Sequence, residues 1–179
     1  MDELEDIVLS PDPRLTTRCT EIDAIDDSVR KLAERMLRDM YAADGVGLAA
    51  PQIGELVRLV VIDVDYPTGE ENPYVLVNPR IVEASEETRP YDEGCLSFPG
   101  ISVEIERPRR VVVQAENLDG DTMQYEAEDN LMAVCLQHEI DHLDGITMLD
   151  HLPPLKRAAK RREYEQALAE GALPGETGV

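Results

Sequence analysis

The chain has 179 residues, 42% of them apolar, which is the size of one domain with a buried core. It carries 17 Lys and Arg against 38 Asp and Glu, a formal charge of −21 that disfavours nonspecific binding to nucleic acid or anionic lipid. The acidic start MDELEDIVLSPDPR has no basic region followed by an apolar stretch, and no apolar run reaches membrane-spanning length, so a cytoplasmic chain with no membrane or DNA partner is expected. The three cysteines, Cys19, Cys95 and Cys135, are odd in number and show no close pairing, which fits a reduced compartment.

In chain order, residues 10–25 are rich in turn formers, Pro11 and Pro13 among them. Residues 28–43 read as an amphipathic helix with Val29, Leu32, Met36 and Met40 on one face, capped by Asp26, Asp27 or Ser28 and stopped at Asp44-Gly45. The small-residue segment GVGLAAPQIG follows at 45–54. Residues 56–65 are rich in β-branched side chains and read as a strand, and 74–84 read as a strand interrupted at Asn78-Pro79. No strand is read in the polar stretch 85–94. Residues 101–105 alternate, 110–116 form a strand, and 123–127 complete a hairpin across the turn Leu118-Asp119-Gly120.

From about residue 129 the period becomes helical. Leu131, Val134, Cys135, His138 and His142 fall at i, i+3, i+4, i+7 and i+11, the buried face of a helix that ends near Gly145. A second helix runs from Pro154 to about Glu170, after which Gly171 and Gly175 release a short mobile tail. The strands follow one another in hairpin succession. The predicted fold class is therefore α+β, with mostly antiparallel sheets packed around the histidine-bearing helix and a C-terminal helix beside them. Residues 1–152 read as the body of a single domain, and 153–179 as a charged helix and tail of the same domain.

The sharpest chemical signal is His138-Glu139-Ile140-Asp141-His142. Spacing of four on a helix stacks two imidazoles one turn apart, where both reach one divalent cation, and Glu139 lies beside the first as a candidate acid/base. Two buried histidines without partners carry a desolvation cost that ligation removes. A third ligand is open from the residues alone: His151, Asp144 and Asp150 lie downstream, and Cys95 lies upstream in the turn sequence Glu93-Gly94-Cys95-Leu96-Ser97. Cys19 and Cys135 read as small buried residues, with Cys135 also placed to line a pocket wall. An HExxH metallopeptidase and a non-catalytic protein with a structural metal both remain open at this point. The first predicts a downstream third ligand, the second a closed four-ligand site.

Three segments in one order, Gly45-Val46-Gly47-Leu48-Ala49-Ala50-Pro51-Gln52, then Glu93 to Ser97, then His138 to His142, resemble the GxGxAAxQ, EGCLS and HExDH motifs of the peptide deformylase family. The similarity runs from LSPDPRL to the helix after HLPPLKR and is of the bacterial type with a C-terminal helix. It implies Cys95, His138 and His142 as ligands of one divalent metal ion, Fe2+ foremost, with Zn2+, Ni2+ or Co2+ as alternatives. It implies Glu139 as general acid/base, with the Gln52 side chain and the Leu96 backbone N–H stabilising the oxyanion. The implied reaction removes the formyl group from N-formylmethionyl polypeptides and releases formate, hydroxide carried on the metal attacking the formyl carbon. Gly47 would approach the substrate through its backbone. Val46, Leu131, Val134 and Cys135 are the candidate methionine pocket, Leu131 reading equally as core. Where many members carry Arg seven residues after the motif cysteine, this chain has Ser102, so the resemblance does not carry over a side-chain clamp on the downstream peptide. Residues 155–162 carry five positive charges and no acid. The resemblance makes Lys156, Arg157, Lys160, Arg161 and Arg162 a candidate ribosome contact, the body otherwise being expected to be monomeric.

Overall fold

The architecture follows from one strand with two apolar faces. In β2 (Leu59–Ile62) every residue is buried, and alternation sends Leu59 and Val61 to one side and Val60 and Ile62 to the other. A strand apolar on both faces must be covered on both. In this computed structural model, which describes residues 3–176, α1 (Asp27–Ala42) covers one face and α2 (Leu131–Leu143) the other.

The sheet has five strands in the order β1 (Gly47–Ala49), β2, β3 (Tyr74–Ala84), β6 (Arg110–Glu116) and β7 (Thr122–Glu128), all pairs antiparallel. A separate hairpin pairs β4 (Thr88–Glu93) with β5 (Val103–Pro108). The α+β expectation, with a central histidine-bearing helix and a C-terminal helix, holds. Met36, Met40, Leu48 and Leu59 pack the α1 side, and Val60, Leu76, Val111, Leu136 and Leu143 pack the α2 side. Cys19 and Cys135 are both buried on the α2 side, as their small-apolar reading requires.

Helix α1 starts where Asp26 accepts hydrogen bonds from the backbone N–H groups of Ser28 and Val29, which satisfies donors that a first turn leaves open. Helix α2 is capped likewise by Asn130, which accepts from Ala133 N–H. Helix α3 (Pro154–Ala169) is held by Tyr164, whose ring lies 5.1 Å from Phe98 and whose hydroxyl donates to the Ser10 carbonyl at 2.9 Å.

Four segments differ from expectation. The strand over residues 56–65 shrinks to Leu59–Ile62, because Leu56 serves the Thr20 N–H and Asp63 turns its carboxylate into the next loop. Strand β3 is not broken at Asn78-Pro79: Asn78 takes φ +51, bonds both backbone groups of Ile22, and makes an irregularity in an otherwise continuous strand. Strand β4 escapes the apolar pattern because, of its six residues, only Glu93 is buried. The tail past Gly171 is folded back on the body as far as Glu176, whose carbonyl accepts from Gly100 N–H at 2.7 Å. Residues 177–179 of that tail lie outside the described residues.

Candidate active site

Ten of the thirteen residues of α2 are buried, Gln137, His138, Glu139 and His142 among them. Buried polar groups need partners, and these define the site.

His138 and His142 sit one turn apart with their Nε2 atoms 3.2 Å from each other, and Cys95 Sγ lies 3.3 Å from His142 Nε2. All three donor atoms fall within 4.8 Å of one another. Donors about 2.0–2.3 Å from one tetrahedral cation stand roughly 3.3–3.7 Å apart, so the cluster is close to ligand spacing. His138 Nδ1 faces Glu93 Oε1 at 2.8 Å, and that contact puts its proton on Nδ1 and leaves the Nε2 lone pair for the cluster. Burial, then the neighbouring His138, hold His142 well below the usual imidazole range, which keeps it in the neutral ligand form. Burial opposes a proton on His138 too, but its contacts with Cys95 and Glu93 outweigh that and raise its value. His138 favours positive charge at this point, while His142 offers a neutral lone pair and Cys95 a sulfur, a donor set suited to a cation. The residues present therefore fit a single metal ion.

Glu93 is itself gripped. Arg107 Nε and Nη2 donate to its two carboxylate oxygens at 2.5 and 2.9 Å, and Arg107 Nη1 donates to Asp141 at 2.9 Å. The same Asp141 oxygen lies 2.8 Å from His151 Nε2. Asp141 thus has two partners, Arg107 and His151, and Arg107, unassigned from sequence, is the buried hub that links Glu93 to Asp141. His151 stands off the metal cluster behind Asp141, which removes it as a third ligand. Asp144 pairs with Arg58 at 3.0 Å and Asp150 caps Thr147 N–H at 2.8 Å, so neither downstream carboxylate joins the cluster.

His142 Nδ1 is left without a hydrogen-bond partner among the described residues, and so is one oxygen of Glu139, Oε2. The Glu139 carboxylate is buried. Burial raises its pKa from the ordinary 4.5 to about 7, against the lowering influence of His138. Gly47 packs directly on it: a Cβ there would fall 2.8 Å from Glu139 Oε1. This is a role for Gly47 additional to the expected backbone approach to substrate, and it requires the absence of a side chain.

Gln52 is fixed by two contacts. Its Oε1 accepts from Ala49 N–H at 2.9 Å, which forces Nε2 toward Ser97 Oγ at 3.1 Å and Cys95 Sγ at 3.6 Å. The Leu96 N–H donates to no group among the described residues. A cleft of about 210 Å³ opens above these atoms and brings together Val46, Gly47, Gln52, Cys95, Leu96, Val134, Cys135, His138 and Glu139. Leu131 also lines it, but from the mouth. It is 37% exposed at the first turn of α2, so its alternative reading as core is corrected. Gly175 and Glu176 of the C-terminal segment line the cleft as well, a placement that no local sequence signal announced.

An enzyme with a centre able to hold one metal ion is the class that this fold and donor set define. The polypeptide deformylase family model matches residues 4–158. The chain is 44% identical over 160 residues to a peptide deformylase of Acinetobacter baumannii, covering 89% of each, and 44% identical over 170 residues to one of Rhodopseudomonas palustris, covering 94% of this chain and 97% of that one. A crystal structure of a peptide deformylase from Legionella pneumophila superposes with a TM-score of 0.85 at 40% identity over 92% of this chain and 95% of that chain. One from Synechococcus elongatus, solved with actinonin, gives 0.81 at 36% identity over 92% and 85%. The chain belongs to the polypeptide deformylase family.

Proposed function

We propose that this chain hydrolyses the formyl group from the N-terminal formylmethionine of newly made polypeptides in the cytoplasm, releasing formate. The observation that carries the reading is Glu139: a buried carboxylate with a free oxygen, at the floor of an apolar cleft, beside three convergent soft and imidazole donors. A divalent cation held by Cys95, His138 and His142, Fe2+ foremost, supplies Lewis acidity and a water of lowered pKa.

The protein's own groups do the rest. Glu139 takes a proton from the attacking water as its oxygen bonds to the formyl carbon. Charge then builds on the formyl oxygen, to which the Leu96 N–H and the Gln52 amide donate, the amide exchanging its contact with Ser97 Oγ or Cys95 Sγ for the new one; each such donor is worth about 2.7–4 kcal/mol in transition-state stabilisation. Glu139 returns its proton to the departing amine as the C–N bond breaks, leaving formate and a free α-amino group. Val46, Val134 and Cys135, with Leu131 at the mouth, form an apolar wall suited to the methionine side chain. By the same fit, the chain should bind actinonin.

Five basic residues of α3 support a contact with ribosomal RNA, though unequally. Arg157 donates to the carbonyls of Leu149, Asp150 and Leu152, and Lys160 pairs with Glu163. Lys156, Arg161 and Arg162 are exposed and carry the proposed contact.

The test is anaerobic reconstitution with Fe2+, Zn2+, Ni2+ or Co2+, followed by assay of formate from formyl-Met-Ala-Ser. Release that actinonin suppresses is expected. No release with any of the metals refutes the reading.

A further inference from the structure

The C-terminal segment after α3 is built against the mouth of the cleft. The chain reverses at Gly171, φ +88, and residues 173–176 close a turn in which Glu176 N–H donates to the Leu173 carbonyl at 3.0 Å and Leu173 N–H to Glu176 Oε2 at 3.2 Å. Two backbone contacts dock this turn. On one side Gly100 N–H donates to the Glu176 carbonyl at 2.7 Å. On the other, Gly175, φ +98, lies so close to the end of α1 that a Cβ would stand 2.2 Å from the Ala43 carbonyl oxygen. Gly100 follows the Cys95-Leu96 segment in the chain, and Ala43 precedes the Gly45-Val46-Gly47 segment. Both segments line the cleft and touch each other at Gly45 and Leu96, so the turn docks beside each of them, and Gly175 and Glu176 line the cavity as well.

We propose that this turn is the outer wall of the substrate cleft and a specificity-determining element, contacting the peptide residues that follow formylmethionine. The inference rests on the deformylase reading, which puts the formyl group at the Glu139 end of the cleft and sends the rest of the substrate outward. An extended peptide advances about 3.3–3.6 Å per residue, so residues after the first must pass the mouth that the turn borders.

Two full-length variants and one chain ending at Ala172 test it. Gly175→Val and Gly175→Ala place a Cβ into the Ala43 carbonyl and so displace the turn without shortening the chain. For each, kcat/KM is measured on formyl-Met-amide and on a formyl pentapeptide. The ratio of long to short substrate is expected to fall at least fivefold, through KM for the long one. A ratio within twofold of the parent protein, or a rise, overturns the proposal, a rise meaning that the turn obstructs the cleft. Should the variants fail to fold, the unmodified chain is photo-crosslinked with a formyl peptide bearing benzoylphenylalanine at its third position. Crosslinks to residues 173–176 support the wall, and crosslinks confined elsewhere overturn it. An unmodified chain that releases formate from no peptide condemns the deformylase reading instead, while the crosslinking still reports on the turn.

Discussion

Glu93 and His138 are joined by a 2.8 Å contact between a carboxylate oxygen and imidazole Nδ1, 45 residues apart in sequence. This one contact decides which nitrogen His138 offers to the metal cluster, and Arg107 holds it in place through two bonds to the same carboxylate. Replacing Arg107 by Met strands a buried Glu93 without its counter-charge. Loss of one partner from such a pair costs about 3–5 kcal/mol, and disturbing a group that orients a ligand lowers metal affinity roughly 10–100-fold. Thermal unfolding and competition with a chelator should register both effects in Arg107→Met. A variant with unchanged metal affinity would show that the orientation is set elsewhere.

Gly47 and Glu139 make a second close pair. A methyl group at 47 lies 2.8 Å from Glu139 Oε1, so Gly47→Ala must push the carboxylate aside. Displacement by about 1 Å costs on the order of 100-fold in rate. Gly47→Ala should therefore lose kcat on formyl-Met-Ala-Ser while its metal content stays at one per chain.

Acid stability has a specific contributor in Asp63, remote from the metal cluster. Burial pushes its pKa up, but hydrogen bonds from the Tyr41 hydroxyl and from the backbone N–H groups of Asn72, Asp65 and Tyr66 outweigh burial and hold it below the ordinary 3.8. A carboxyl with a lower pKa folded than unfolded stabilises the protein fully above the unfolded value. That stability is lost as pH falls from about 4 through the folded value. Asp63→Asn should cost about 2 kcal/mol at pH 7 and flatten the acid limb of stability against pH, as measured by urea unfolding. An unchanged acid limb would remove Asp63 from the account.

The basic residues of α3 should separate into two groups. Substituting Gln at Lys156, Arg161 and Arg162 should weaken co-sedimentation with ribosomes with little change in Tm. Arg157→Gln should lower Tm by a few degrees, because three carbonyls lose a charged donor. Equal effects of the two sets on ribosome binding would contradict this division.

Periodicity made the central helix and its two histidines legible, because the apolar face and the ligand face coincide on α2. The bounds of β6 were legible too, because three consecutive β-branched valines, Val111 to Val113, carry no competing turn signal. Cys95 as the third ligand was not available from spacing, since it lies 43 residues before His138. It came from the motif resemblance, and the geometry brings its sulfur to the cluster. Strand β4 and the Arg107 hub were hidden for a common reason. Their signal is a set of buried charges paired across 14 and 34 residues, which no local pattern records. The tail misled because two glycines read as freedom, whereas Gly175 is needed for close approach to Ala43.

The most direct test of the account is Glu139→Gln, which keeps the shape of the side chain and removes its ability to take a proton. Metal content and formate release are measured on the same preparation. The account predicts one metal ion per chain, as in the parent protein, with kcat reduced at least about 100-fold. Retention of full activity with bound metal would contradict it.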